Sequence, residues 1–341
     1  MDFSLTEERR MLADSLRGTL KRGADWAQLA DLGVLGALFS EAEGGFGGSG
    51  FDIAVVFEEL GRAGGNEPVL EAGLAGGLLA DCGEDVLVEQ VISGSLRPAF
   101  AHDEPGNRYD GAVRARVEGG RLSGAKSVVL GAEGAGLLVV SALDEGDVAL
   151  FAVDPVGAGV SLRTVRALSG GQASEISLDN VPARRIGPEG SAQPLIDARI
   201  AAATLALCAD AVGAMETVRD MTLDYLRSRK QFGRPIGSFQ ALQHRMADAV
   251  IEIEQARSAV INLAGHLHAA PAIRELHVSA TKNVVGRTAR LVAEEAIQMH
   301  GGIAMTEAYA LAPFARRLLA VDHRFGDEDW HMERFIALQA G

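Results

Sequence analysis

The run RKQFGRPIGSFQ at residues 229–240 concentrates cations in a chain that is otherwise acidic. Arg229 and Lys230 follow TLDYLRS, the end of an apolar-periodic segment, where positive charge suits the negative pole of a helix. The Phe232-Gly233 pair lets a backbone approach a flat ligand closely, and Gln240 adds a neutral donor and acceptor. Guanidinium, amide and aromatic ring together suit a nucleotide diphosphate. A helix end dressed with cations needs no ligand, so the run by itself leaves both readings open. Further on, Gln298 precedes Gly301-Gly302, which taken alone reads as a helix C-cap.

The chain has 341 residues, 48% hydrophobic and 23% charged, enough for two or three domains and a large core. Its formal net charge of -14 argues against a nucleic-acid partner, since such binding rests on Lys and Arg neutralising phosphates. Any phosphate-bearing ligand must therefore be met locally. The opening MDFSLTEERRMLADSL mixes both charges and lacks the apolar block of a signal peptide, and no run reaches membrane-spanning length, so a cytoplasmic protein is expected. Cys82 and Cys208 are read as buried thiols in a reducing compartment.

Residues 1–96 read as helices. Leu5, Leu12, Leu16 and Leu20 recur at near-helical spacing, Ser4 with Glu7 forms a capping-box pattern, and apolar stretches follow at 26–38, 53–60 and 69–79. Between them EGGFGGSG lacks the Gly-Lys-Ser/Thr ending of a phosphate loop and is read as a flexible connection. Residues 97–190 change to short β-type runs, AVRARV, RLSGAKSVVL, GLLVVSA, VALFAVD, GVSLRTV and ASEISLDNV, with EGGR as a hairpin signal. Over 191–341 long helices are predicted at 200–225, 239–267 and 273–299, of bundle type. His266 and His268 lie two apart in a predicted loop, AGHLHAAPAIRE, and are read as solvated, with no metal site.

The segment RKQFGRPIGSFQALQHRMADAV resembles the signature of the acyl-CoA dehydrogenases, flavoproteins that oxidise the α,β-bond of acyl-CoA thioesters. DFSLTEERRMLADSL, LADLGVLGALFSEAEGGFGG, FEELGR and QMHGGIAMTEAYALAPFARR match further family features in the correct order. The resemblance implies an α+β fold: an N-terminal helical domain, a middle β-barrel-like or sandwich domain and a C-terminal four-helix bundle. It also implies FAD shared across a subunit interface, its ADP end held by Arg229, Phe232, Gln240, Gln298, Gly301 and Gly302, and electron-transfer flavoprotein as the electron acceptor.

The chain departs from the family where the chemistry lies. Ungapped counting from Gln298 brings the usual Glu-Gly base position to Phe325-Gly326, and the alternative position, before the Arg199 of the first long helix, to Ala198. Neither can take a proton. Val128, Val129 and Leu130 stand where a Trp-Ile-Thr strand flanks the flavin ring, and the Thr-Glu-Pro-Gly loop is reduced to HDEPGN, keeping Glu104, Pro105 and Gly106. The resulting expectation is a non-catalytic subunit that clamps FAD for a homologous full-length partner, similar to the short subunits of actinobacterial α2β2 enzymes acting on steroid side-chain CoA thioesters. Two alternatives stand beside it: a homomeric enzyme with Asp327 or Glu328 as relocated base, and a non-enzymatic scaffold of the same fold.

Overall fold

A computed structural model of the chain describes residues 6–20, 23–107, 109 and 111–340. Ser4 and Leu5, and with them the Ser4–Glu7 capping pattern, lie outside these residues. Five helices come first: α1 (Glu7–Leu20), α2 (Trp26–Asp31), α3 (Gly50–Ala63), α4 (Val69–Asp81) and α5 (Asp85–Ile92). The stretch predicted at 26–38 divides into α2 and a 3-10 turn, Gly36–Leu38, because Gly33 takes a left-handed φ of 75°. The glycine run after it is pinned down: Gly45, Gly47 and Gly48 donate to the carbonyls of Ser40, Phe39 and Ala37 at 2.9–3.0 Å. A Cβ on any of the three would overlap backbone of residues 36–40, so EGGFGGSG is a packed turn and not a loose connection.

Strands follow as β1 (Pro98–Ala101), β2 (Arg116–Glu118), β3 (Arg121–Leu130), β4 (Leu137–Asp144), β5 (Asp147–Val153), β6 (Val160–Arg166), β7 (Gln172–Pro182) and β8 (Arg184–Ile186). They form one mixed sheet in the order β6-β7-β3-β2-β4-β5-β8, with β1 parallel to β4. Leu122, Ile176 and Leu178 of one arm share a core with Leu138, Val140 and Phe151 of the other, so the sheet folds over on itself in sandwich fashion. Val139 and Leu150 face the opposite way, into the helices, which is why VALFAVD and GLLVVSA read as unbroken apolar runs. EGGR is the β2–β3 hairpin, Gly119 and Gly120 supplying the positive φ values (57° and 75°) of its two-residue turn.

The predicted strand AVRARV is extended and paired only from Arg116. The N–H groups of Arg114 and Ala115 donate instead to the Glu104 carboxylate, each at 2.9 Å. Glu104 is itself held by Lys126, a fully buried lysine whose ammonium also donates to the His102 carbonyl and Ser141 Oγ, at 2.9 and 3.2 Å. Three donors thus meet three oxygens, the condition under which a buried charge is tolerated.

The C-terminal half comprises α6 (Gln193–Ser228), a two-residue ribbon β9 (Lys230–Gln231) and β10 (Arg234–Pro235), then α7 (Gln240–His266), α8 (Pro271–His300), α9 (Leu311–Val321) and α10 (Glu328–Ala340). Pro194 and Pro271 sit in the first turns of α6 and α8, where a missing N–H costs nothing, so these helices start earlier than the apolar pattern alone indicates. The predicted loop at 264–275 shrinks accordingly, and His266 remains helical with its ring stacked on His277 at 3.9 Å. Helix α6, 36 residues long, crosses α3 at Gly61 and Gly213, where a Cβ on either would overlap a carbonyl oxygen of the other helix.

Two outcomes follow for stability. Lys126→Met strands the Glu104 carboxylate in the interior and should cost about 3–5 kcal/mol in urea unfolding. Burial, assisted by Lys126, pushes the His102 imidazole down to about 4 from 6.5. The unfolded chain therefore takes up a proton below pH 6.5 that the folded chain refuses. Stability should fall by about 1.4 kcal/mol per pH unit between roughly pH 6.5 and 4, and His102→Gln should remove that share of the slope.

Candidate functional site

The six predicted clamp residues lie at one end of the helical bundle. Arg229 leaves the helix at φ -72°, ψ 123°, its N–H donating to the Tyr225 carbonyl at 2.8 Å. Phe232 and Gly233 form the tip of the β9–β10 ribbon with φ values of 53° and 79°, the mirror-image turn that a two-residue hairpin requires. Phe232 is 89% exposed. Its ring meets Phe239 edge-on at 6.0 Å, and the Arg234 guanidinium lies 4.1 Å over the other side of that hairpin base, on the Phe239 ring. Gln240 opens α7 and Gln298 sits in the last turn of α8, both exposed. Gly301 ends α8 at φ 69° with its N–H on the Ile297 carbonyl, so it is a helix cap as well as a member of the Gly-Gly pair. Nothing lies within 4 Å of where a Cβ on Gly301 or Gly302 would stand, leaving open space over that backbone.

Packing brings the two segments together. Met299 shares an apolar cluster with Leu226 and Met246, against which Ile236 and Leu242 pack, and the His300 ring stacks on Tyr225 at 4.5 Å. Among the described residues the side chains of Arg229, Gln240 and Gln298 make no hydrogen bond or ion pair, whereas nearby Arg227 faces Asp224 at 3.7 Å. A free guanidinium, two free amides and an uncovered glycine backbone are the donor set that a diphosphate requires. In this respect the residues present fit the ADP end of a dinucleotide.

A second centre is a cavity of about 400 Å³ where the sheet meets α6, α8 and α10. Val128, Val129, Leu130 and Phe325 all line it, so the ring-strand positions and the usual base position share one space. Val128 holds φ 53° at an irregularity in β3 and is 61% exposed, toward the cavity. A β-branched residue there stores roughly 1–2 kcal/mol of strain. Phe325 also has a positive φ, 58°, and its ring lies 4.8 Å beneath the Arg324 guanidinium. The turn is fastened by Lys282, donating to the Gly326 carbonyl at 2.6 Å, and by His331 Nε2, donating to the Phe325 carbonyl at 2.9 Å. Burial beside the Lys282 charge pushes His331 down to about 3, so it stays neutral. Residues 128–130 deliver no aromatic plate or hydroxyl and Phe325 no proton acceptor, so these positions do not fit the side chains the family places around an active flavin ring.

The two rival carboxylates stand apart from this cavity. Asp327 is 8% exposed and caps α10, accepting from the Trp330 N–H at 2.9 Å, and Glu328 pairs with Arg290 at 2.6 Å. Neither lines the cavity, and nor does Ala198; its neighbour Arg199 is bound to Asp81 and Glu43 at 2.7 and 3.2 Å. The cavity does hold residues that pattern reading passed over: Asp103, Ser127 and Thr204 among them. Asp103 had a visible signal, since it stands where the family loop carries threonine.

Comparison with known proteins was consistent with this geometry. The N-terminal domain model of acyl-CoA dehydrogenases matches residues 6–96 and the C-terminal domain model residues 194–337. Acyl-CoA dehydrogenase IpdE2 of Mycobacterium tuberculosis is 31% identical over 293 residues, covering 84% of this chain and 78% of that protein. Among solved structures, the ChsE4-ChsE5 complex from Mycobacterium tuberculosis superposes with a TM-score of 0.88 at 25% identity, over 100% of this chain and 99% of its own. A variant of the Tcur3481-Tcur3483 steroid acyl-CoA dehydrogenase does so with 0.87 at 29% identity, over 98% of each. With both family models covering most of its length and a curated relative above 30% identity, the chain belongs to the acyl-CoA dehydrogenase family.

Proposed function

We propose that this chain is the non-catalytic subunit of an FAD-dependent acyl-CoA dehydrogenase, gripping the ADP end of a flavin whose ring and base belong to a homologous full-length partner. The observation that carries the reading is the placing of clamp and cavity on one helix. Ile200 and Thr204 face the cavity near the start of α6, and Arg229 follows its last residue, Ser228. At 1.5 Å per residue Thr204 and Arg229 are roughly 37 Å apart along the axis, farther than one dinucleotide extends. A flavin held at Arg229 therefore has its ring in another chain. The chain's own cavity carries no carboxylate at Phe325, the family's base position, and no Trp or Thr at Val128–Leu130, its ring-flanking strand, which supports placing the chemistry in the other chain.

When bound, FAD supplies the hydride acceptor for α,β-desaturation of the acyl-CoA. This chain's part is to neutralise the diphosphate with Arg229, to offer amides from Gln240 and Gln298, and to let the Gly301-Gly302 backbone approach. Phe232 presents an aromatic face beside them. The named steroid relative and the two-component complexes support a steroid-like acyl group and a heterotetramer, with electron-transfer flavoprotein taking the electrons. No helix among the described residues is long and apolar enough to cross a membrane, in keeping with a cytoplasmic enzyme.

Co-expression with the full-length partner should give a yellow complex with half as many flavins as chains, and the lone chain should be colourless. Colour in the lone chain supports the homomeric reading, and a colourless mixture supports the scaffold. In the complex, Arg229→Ala should weaken FAD retention by about 1.5–3 kcal/mol, roughly 10–150-fold, measured by flavin release on dilution. Unchanged occupancy rejects the clamp.

A further inference from the structure

Four carboxylates face the cavity: Glu71, Asp103, Asp197 and Glu275. Three are matched. Glu71 pairs with Arg324 at 2.9 Å, Glu275 with Arg334 at 2.8 Å, and Asp197 accepts from the Gln193 amide at 2.8 Å. Among the described residues the Asp103 side chain has no hydrogen bond or ion pair. Its place is nevertheless set, because its backbone carbonyl accepts the Ser127 N–H at 2.8 Å, next to the strained Val128. Asp103 is exposed to the space of the cavity, and the surrounding walls raise its carboxyl above the usual carboxylate range by partial desolvation, against the pull of Lys126 and Arg324.

We propose that Asp103 is a specificity determinant that keeps the isoalloxazine ring out of this chain's own cavity and so assigns the flavin to the partner. The inference rests on the reading that the ring belongs to another chain, and it names the group that enforces that choice. The rim of the ring is mainly acceptors, the two carbonyl oxygens with N1 and N5, and its one N–H cannot serve a carboxylate while the acceptors also face it. A ring seated beside Asp103 strips the carboxylate of water and returns no donor, which is the costly way to bury a charge. Reduction adds negative charge to the ring and sharpens the conflict. Threonine, which the family loop carries at this point, is neutral and can donate. Replacing it by aspartate is a repulsive element, and selectivity between two related sites is built as effectively by repulsion as by attraction.

The experiment titrates the isolated chain with riboflavin and with FAD, following flavin fluorescence, for the wild type and for Asp103→Asn, Asp103→Thr and Asp103→Glu. The Asn and Thr variants should bind riboflavin at least about tenfold more tightly than the wild type. Asp103→Glu, which keeps the charge, should not. In the co-expressed complex, Asp103→Asn should raise the flavin content above one per two chains. Neutral variants that bind no better than the wild type overturn the assignment of Asp103 and leave the subunit reading standing. A wild-type chain that binds riboflavin tightly in its own cavity overturns the subunit reading itself. Because the Asp103 side chain makes no hydrogen bond or ion pair among the described residues, the variants are expected to keep the wild-type thermal midpoint, which is the control.

Discussion

A single buried ammonium ties the cavity's walls to one another. Lys126 on β3 reaches the His102 carbonyl, the Glu104 carboxylate and Ser141 on β4, and Glu104 in turn takes the N–H groups of Arg114 and Ala115. The loop after β1, the irregular strand before β2 and the centre of the sheet are thereby fastened to one charge. Val128 lies two residues beyond Lys126 and Asp103 directly precedes Glu104, so the groups that define the cavity are aimed by this anchor. Its glutamate is part of what the chain keeps of the family's Thr-Glu-Pro-Gly loop. Lysine and glutamate act as framework, because neither end of the pair is free to touch a ligand.

Unusual backbone conformations recur in the segments of interest. Among the described residues, Val128, Phe232 and Phe325 are three of the five non-glycine residues with positive φ, and each falls in a segment singled out by sequence. Such conformations persist only where surroundings enforce them. At Phe325 the enforcement is visible in Lys282 and His331, which hold the carbonyls of the turn from both sides. The scaffold around the base position is thus intact while the side chain placed there is inert.

Much of the architecture could be read from the chain. The long helices of the second half, the Gly119-Gly120 hairpin and the alternation of helical and strand segments came from periodicity and turn chemistry, whereas the proposed clamp and the position of Phe325 rest on the family resemblance. What could not be read depended on distant partners. The N–H groups of Arg114 and Ala115 belong to a carboxylate ten or more positions away, so an apparently regular strand is not one. Asp327 looked like a spare base and is a helix cap, a distinction decided by which N–H it faces. EGGFGGSG has the composition of a loose linker, and only the carbonyls of residues 36–40 reveal why so many glycines are needed. Asp103 matters through what it lacks, and a missing partner leaves no trace in a linear pattern.

If the chain is the subunit proposed above, the tip of the β9–β10 ribbon has a consequence for it before assembly. An orphan copy displays the Phe232 ring to water at the end of a projecting finger, a feature that invites indiscriminate adhesion. Arg229, Lys230 and Arg234 surround that ring with like charge, which discourages two orphan fingers from meeting while leaving an anionic surface welcome. The finger is in this way guarded against its own kind during the interval between synthesis and pairing. In the proposed two-chain enzyme, balanced production of both chains would keep such fingers covered.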